Sequence, residues 1–268
     1  MKQKTIALIG CGALAHIFAR NLLRLMPGTY RIVGVFGRTP LHAESFAETL
    51  SCRRCRDLSE LIALKPDYCV EFAGGGAVRE YAESVLKAGI SFVAASSGAL
   101  ADDALKAKLE KAAEEAGSKL YIPCGAVGGF DLMQIYALRG GAKVEIGNRK
   151  APRSLEGAPG LKGRVLSQEK EEVVFSGGVK EAIAGFPKNV NVAVATSLAT
   201  AAPDARVTIT SVPGLRENIH SVKLSNGLMH AELTIASNPD PANPKSSTSA
   251  AWSVVALFKN MASPVVYW

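Results

Sequence analysis

The chain has no apolar run long enough to cross a bilayer, few aromatic residues, and only four histidines among its 268 residues. The first absence excludes a helical membrane protein, because a spanning helix needs about 20 consecutive apolar residues. The opening MKQKTIALIGCG imitates a signal peptide, but its apolar stretch breaks at once into glycines and reads as a strand. The cytoplasm is therefore the expected compartment, with no membrane partner. An aromatic content of 6% leaves few stacking platforms, and the 31 Lys and Arg residues are spread along the chain. A net charge of +7 so distributed suits anionic small molecules, and no nucleic-acid partner is expected.

Cysteine is also scarce. Five residues, an odd number, argue against a disulfide framework. Cys52 and Cys55 form a C-x-x-C, yet no second pair or histidine cluster exists to complete a tetrahedral zinc site. The expectation is no metal, with both thiols reduced in a short connection. A hydrophobic content of 48% with 21% charged residues is that of a globular enzyme and excludes disorder.

The N-terminal half alternates between strand and helix signals. The run TIALIG reads as a strand buried on both faces, and Leu14, Ile17, Phe18, Leu22 and Leu25 recur at helical spacing until Pro27-Gly28. Strands are expected at 32–36, 68–73 and 91–95, and helices at 41–50, in DLSELIAL, and at 78–88 and 102–116. Such alternation calls for right-handed crossovers and a Rossmann-type doubly wound parallel sheet. After about residue 122 the texture changes to shorter strands, expected at 142–146, 173–175 and 205–210. A hairpin of 219–224 and 229–236 turns at Ser225-Asn226-Gly227. A helix at 191–201 packs on this second sheet, making a second α/β (α+β) domain, and a last helix at 248–260 returns to the first domain.

The turn after the first strand has a chemical purpose. Gly10 permits a tight turn, Gly12 lets the backbone approach a pyrophosphate, and Ala15 keeps the helix close to the strand. Phosphates would then sit on the helix N-terminus, against the amides of Gly10, Gly12, Ala13 and Leu14. A second such turn, Gly74–Gly76, follows the apolar strand 68–73; Ala73 and Gly74 are expected cofactor contacts, with the nicotinamide between 73–75 and 96–98. An NAD-specific site usually carries an acid after the second strand, to bond the ribose 2′-hydroxyl. Here the chain reads Val35-Phe36-Gly37-Arg38-Thr39, without one. Two readings stand. Arg38 and Thr39 receive a 2′-phosphate, favouring NADP with NAD also used, or Arg38 is a solvated loop residue.

With four histidines, a proton-transfer role can be weighed one residue at a time. His16, on the first helix, reads as a packing or capping residue, and His42 as solvated. In the hairpin, period-two alternation groups His220 with Val222 and Leu224, while His230 falls on the polar side with Glu232 and Thr234. His220 is thus held against the protein, either as a satisfied core residue or as a catalytic one.

IGCGALA (9–15), IPCGAVGGFD (122–131), FPKNVNVA (186–193), ENIHSV (217–222) and NPKSSTSAAWSVV (243–255), in this order and spacing, resemble the L-aspartate dehydrogenase family. The resemblance implies a dinucleotide-binding domain over 1–123 and 245–268, and a substrate-binding and dimerisation domain over 124–244. It implies a homodimer acting on L-aspartate, with oxidative deamination through iminoaspartate to oxaloacetate and ammonia, or the reverse amination. It places His220 on the active-site histidine, and Ala126 and Asn191 on cofactor contacts. Two substrate carboxylates need cationic or hydroxyl partners, for which Lys188, Lys245, Ser246 and Ser247 are the candidates. The rival readings are a related dehydrogenase or reductase acting on another amino or oxo acid, and a non-catalytic dinucleotide sensor.

Overall fold

A computed structural model describes residues 3–187, 190–240 and 243–267, the side chains of 239–240 and 243–247 excepted. The chain divides into two units, Met1–Pro123 with Ala250–Trp268, and Cys124–Ser249.

The first unit runs β1 (Lys4–Ile9), α1 (Ala13–Leu25), β2 (Tyr30–Phe36), α2 (Pro40–Thr49), β3 (Arg53–Cys55), α3 (Leu58–Ala63), β4 (Tyr68–Glu71), α4 (Gly75–Lys87), β5 (Ser91–Ala94), α5 (Asp103–Ala116) and β6 (Leu120–Tyr121). Every pairing is parallel and the strand order is β3-β2-β1-β4-β5-β6. That order reverses between β1 and β4, the place where open α/β sheets bind ligands. Ile6, Ala7, Leu8 and Ile9 are all buried, as a strand covered on both faces must be. Phe18, Ala19 and Leu22 of α1 press on them together with Ala251, Val254, Val255 and Phe258 of the C-terminal helix, Ser249–Ala262. Tyr30 closes this core by donating its hydroxyl to the Phe258 carbonyl at 2.9 Å.

One boundary differs from expectation in a way that matters for the site. β4 stops at Glu71, so Phe72, Ala73 and Gly74 form the turn itself. β3 and β6, of three and two residues, are too short to leave a periodic signal.

The second unit contains α6 (Phe130–Arg139), β7 (Lys143–Lys150), α7 (Pro152–Leu155), β8 (Glu172–Gly178), α8 (Val179–Gly185), α9 (Asn191–Thr200), β9 (Arg206–Ser211), β10 (Asn218–Ser225), β11 (His230–Ser237) and a small ladder of β12 (Pro239–Asp240) with β13 (Asn243–Ser247). The five-stranded sheet has the order β11-β10-β7-β9-β8, with β7 and β9 parallel and the other pairs antiparallel. Asn226 shapes the hairpin by accepting from the amides of Leu228 and Met229 at 3.0 and 2.9 Å. Helices α6 and α9 pack on each other, α9 also on β7 and α6 on β10. β7 has eight residues where the sequence suggested five: at its far end it continues through Gly147, Asn148, Arg149 and Lys150.

Candidate active site

In the first unit, the ends of β1, β2 and β4 are tied together by backbone. Gly10 N–H donates to the Phe36 carbonyl and Phe72 N–H to the Ile9 carbonyl, both at 2.8 Å. Gly10 has φ +103°, and a Cβ there would stand 2.9 Å from the Phe72 backbone. Only glycine meets both demands. Gly12 then stands at the N-cap of α1 with no side chain capping the helix and no acid in the first turn. Nothing lies within 4 Å of where its Cβ would be. An open, uncapped helix N-terminus free of negative charge fits a diphosphate, which Gly12, Ala13 and Leu14 would hold through their amides.

Arg38 and Thr39 follow β2 and are exposed. Thr39 is the N-cap of α2, yet its side chain makes no cap hydrogen bond, and Arg38 makes no ion pair among the described residues. Gly74 starts α4 at φ +99°, again without a side-chain cap. Its turn is fixed by a residue that sequence reading passed over. Glu71, fully buried, accepts hydrogen bonds from Ala73 N–H (2.5 Å), Gly74 N–H (2.6 Å), Ser96 N–H (3.0 Å) and Ser96 Oγ–H (2.9 Å). Burial raises its pKa, opposed by those four hydrogen bonds. One carboxylate thus joins the turn after β4 to the turn after β5.

In the second unit, His220 is 4% exposed on the same face as Val222 and Leu224, and His230 is exposed, as the alternation required. His220 Nδ1 lies 2.6 Å from Asn148 Oδ1, its register partner on β7. A carboxamide oxygen can only accept, so Nδ1 carries the hydrogen and Nε2 keeps its lone pair. Burial, and secondarily the charge of Lys150, lower the His220 pKa to about 3, so the ring is neutral at pH 7. Lys150, 7% exposed, lies two residues beyond Asn148 on the same face, with Nζ 3.5 Å from Asn218 Oδ1. Burial lowers its pKa to about 8.

Ala126 is in the turn between Cys124 and Gly128, where Val127 N–H donates to the Cys124 carbonyl at 3.3 Å. Asn191 opens α9. Lys188 lies outside the described residues, as do the side chains of Lys245, Ser246 and Ser247 on β13. His16 stacks on Phe46 with centroids 3.9 Å apart, a packing role, and His42 is exposed. All five cysteines are free, and no group of metal-binding side chains occurs among the described residues. No helix among them is long and apolar enough to cross a membrane.

A 3-2-1-4-5-6 sheet with an uncapped glycine turn, joined to a mixed sheet presenting a buried neutral histidine, defines an oxidoreductase that uses a nicotinamide dinucleotide. Residues 10–123 match the homoserine dehydrogenase NAD binding domain family, and 131–261 match the aspartate dehydrogenase C-terminal family. The L-aspartate dehydrogenase of Methanococcus maripaludis is 34% identical over 261 residues, 97% of each chain. L-Aspartate dehydrogenase 2 of Bordetella bronchiseptica is 35% identical over 95% of each. The chain belongs to the L-aspartate dehydrogenase family. The crystal structure of aspartate dehydrogenase from Thermotoga maritima has the same fold, with a TM-score of 0.77 at 24% identity over 99% of this chain and 100% of that one.

Proposed function

We propose that the chain is an NAD(P)-dependent L-aspartate dehydrogenase in which His220 is the catalytic base. The observation that carries the assignment is the 2.6 Å contact between Asn148 Oδ1 and His220 Nδ1, which leaves an unprotonated Nε2 on a buried, neutral ring. A bound oxidised nicotinamide supplies the hydride acceptor for the α-carbon of aspartate. His220 Nε2 takes the proton that the substrate amine must lose, or the proton of the water that adds to iminoaspartate on the way to oxaloacetate and ammonia. Gly12, Ala13 and Leu14 hold the diphosphate through their amides on the turn that Gly10 makes, the Gly10 N–H itself being taken by the Phe36 carbonyl, and Ala73 and Gly74 line the nicotinamide side. Ala126 and Asn191 are further cofactor contacts, from the turn before α6 and the start of α9. Lys188, Lys245, Ser246 and Ser247 remain candidates for the substrate's carboxylates.

Arg38 and Thr39 supply a cation and a hydroxyl not engaged in capping at the end of β2, where an acid would have selected NAD. They favour NADP, with NAD also accepted. Five free cysteines suit a reducing compartment, and we assign the chain to the cytoplasm as a homodimer.

Initial rates with a panel of amino acids against both dinucleotides test this reading. The expected result is turnover of L-aspartate, with kcat lowered about 10²- to 10⁴-fold in His220→Ala. A His220→Ala enzyme within a few-fold of the wild type would remove the histidine from the chemistry. Turnover of another amino acid in place of aspartate would replace the substrate.

A further inference from the structure

One face of the second sheet changes character along its length. Paired across β10, β7 and β9, it begins with Leu224 and Val144, continues with Val222, Ile146 and Val207, and then becomes His220, Asn148 and Ile209. It ends on Lys150 beside Ser211, its register partner, and Asn218, its hydrogen-bond partner. All these residues are buried. A lysine in such a place ordinarily has a carboxylate against it, because an isolated buried ammonium costs several kcal/mol. Lys150 has none among the described residues. Among the described residues its ammonium meets only a neutral carboxamide at 3.5 Å, the outer limit of a hydrogen bond.

Two neighbours are also unsatisfied. Asn148 Nδ2 and Ser211 Oγ are buried without hydrogen-bond partners. With Asn148 Oδ1 committed to His220, its Nδ2 is a pure donor, and the Ser211 hydroxyl can donate as well. The sheet face therefore gathers an ammonium, an amide N–H and a hydroxyl, with no acceptor of matching charge. Buried donors left open in this way ask for an anion.

We propose that Lys150, Asn148 and Ser211 form the seat for one carboxylate of the dicarboxylate substrate. This rests on the aspartate dehydrogenase reading and locates a substrate anion that Lys188 and Lys245 were expected to hold. The seat places the anion beside His220. Neutralising Lys150 removes one of the two influences that depress the basicity of that ring, so substrate binding itself prepares the base. Few other ionisable groups bear on the seat. α9 carries none, α6 contributes buried Tyr136 and exposed Asp131 and Arg139, and Glu172, opposite Ser211, is tied to Arg164.

Succinate, a dicarboxylate that cannot be oxidised at an amine, is the probe. Its binding is followed by calorimetry on the wild type, Lys150→Met and Ser211→Ala, each with and without oxidised dinucleotide. Lys150→Met is expected to weaken succinate about 100-fold, and Ser211→Ala about 5- to 10-fold. It should raise KM for aspartate in parallel while keeping its urea midpoint at or above that of the wild type, since a buried unpaired charge is removed. Wild-type affinity should fall as pH rises through about 8, where the free ammonium is lost, and this limb should be absent in Lys150→Met. Succinate binding and aspartate KM unchanged in Lys150→Met, in an enzyme that oxidises aspartate, would overturn the seat alone. A wild type that neither binds succinate nor oxidises aspartate overturns the functional reading beneath it.

Discussion

Asn148 and His220 stand opposite each other on β7 and β10, with Oδ1 and Nδ1 2.6 Å apart. This contact fixes both the orientation and the tautomer of the ring, so its loss should act on the chemical step and not on cofactor binding. Asn148→Ala is expected to lower kcat about 10²-fold and leave KM for the dinucleotide within twofold. Asn148→Asp, which sets an anion against Nδ1, should instead raise the pKa of the ring and move the acid limb of the kcat profile to higher pH. Steady-state kinetics across pH for the two variants check this. An Asn148→Ala enzyme with normal kcat would show that the ring needs no partner.

The same histidine shapes stability. Its folded pKa is near 3, below the ordinary value of 6.5, so the unfolded chain gains a proton that the folded chain refuses. Stability is therefore lost as pH falls from about 6.5 toward 3, with a contribution of about 1.6 kcal/mol between pH 6.5 and about pH 5. Urea unfolding at these two pH values should show a smaller loss in His220→Gln. His16, lowered by burial too, supplies a remainder that His16→Gln removes. Equal losses in wild type and His220→Gln would contradict the buried, neutral ring.

Arg38 should be a determinant of cofactor choice and nothing else. Arg38→Asp places an acid where a ribose 2′-hydroxyl would be recognised and repels a 2′-phosphate. The kcat/KM for NADP is expected to fall about 10- to 100-fold, with that for NAD unchanged or raised. If both dinucleotides respond alike, the exposed arginine has no part in discrimination.

Glu71 carries the fourth expectation. Glu71→Gln keeps the shape but points an amide at backbone N–H groups that now have a carboxylate. The loss should be about 1–3 kcal/mol of stability, read from the urea midpoint, with a several-fold rise in KM for the dinucleotide as the Ala73–Gly74 turn loosens. KM for aspartate at saturating dinucleotide should hardly move. A variant with unchanged midpoint and unchanged dinucleotide KM would make the carboxylate a bystander.

The parts of this molecule that could be read from residues alone are those with local signals. The βα alternation of the first unit shows in continuous apolar strands, and its turns are marked by Gly10, Gly12 and Gly74. His220 was placed correctly because Val222 and Leu224 continue its side of the strand in plainly apolar residues. β7 has the same alternation, but its inward row passes from Val144 and Ile146 to Asn148 and Lys150. The buried face itself turns polar there, so a pattern of apolar residues ends two positions before the site begins. Glu71 was invisible for another reason. Its partners are mostly backbone N–H groups, one of them 25 residues away, and no residue type announces those.

The Tyr30–Phe258 bond spans 228 residues and belongs to a core that needs Val254, Val255 and Phe258 to cover β1 and α1. During synthesis, a ribosome that has delivered the whole parallel sheet must still translate the entire second unit before that cover exists. Until then Leu8, Phe18 and Leu22 wait uncovered, and the nascent chain is at its most vulnerable to aggregation and to chaperone capture. Closure of so long a loop also makes this helix a late event in folding.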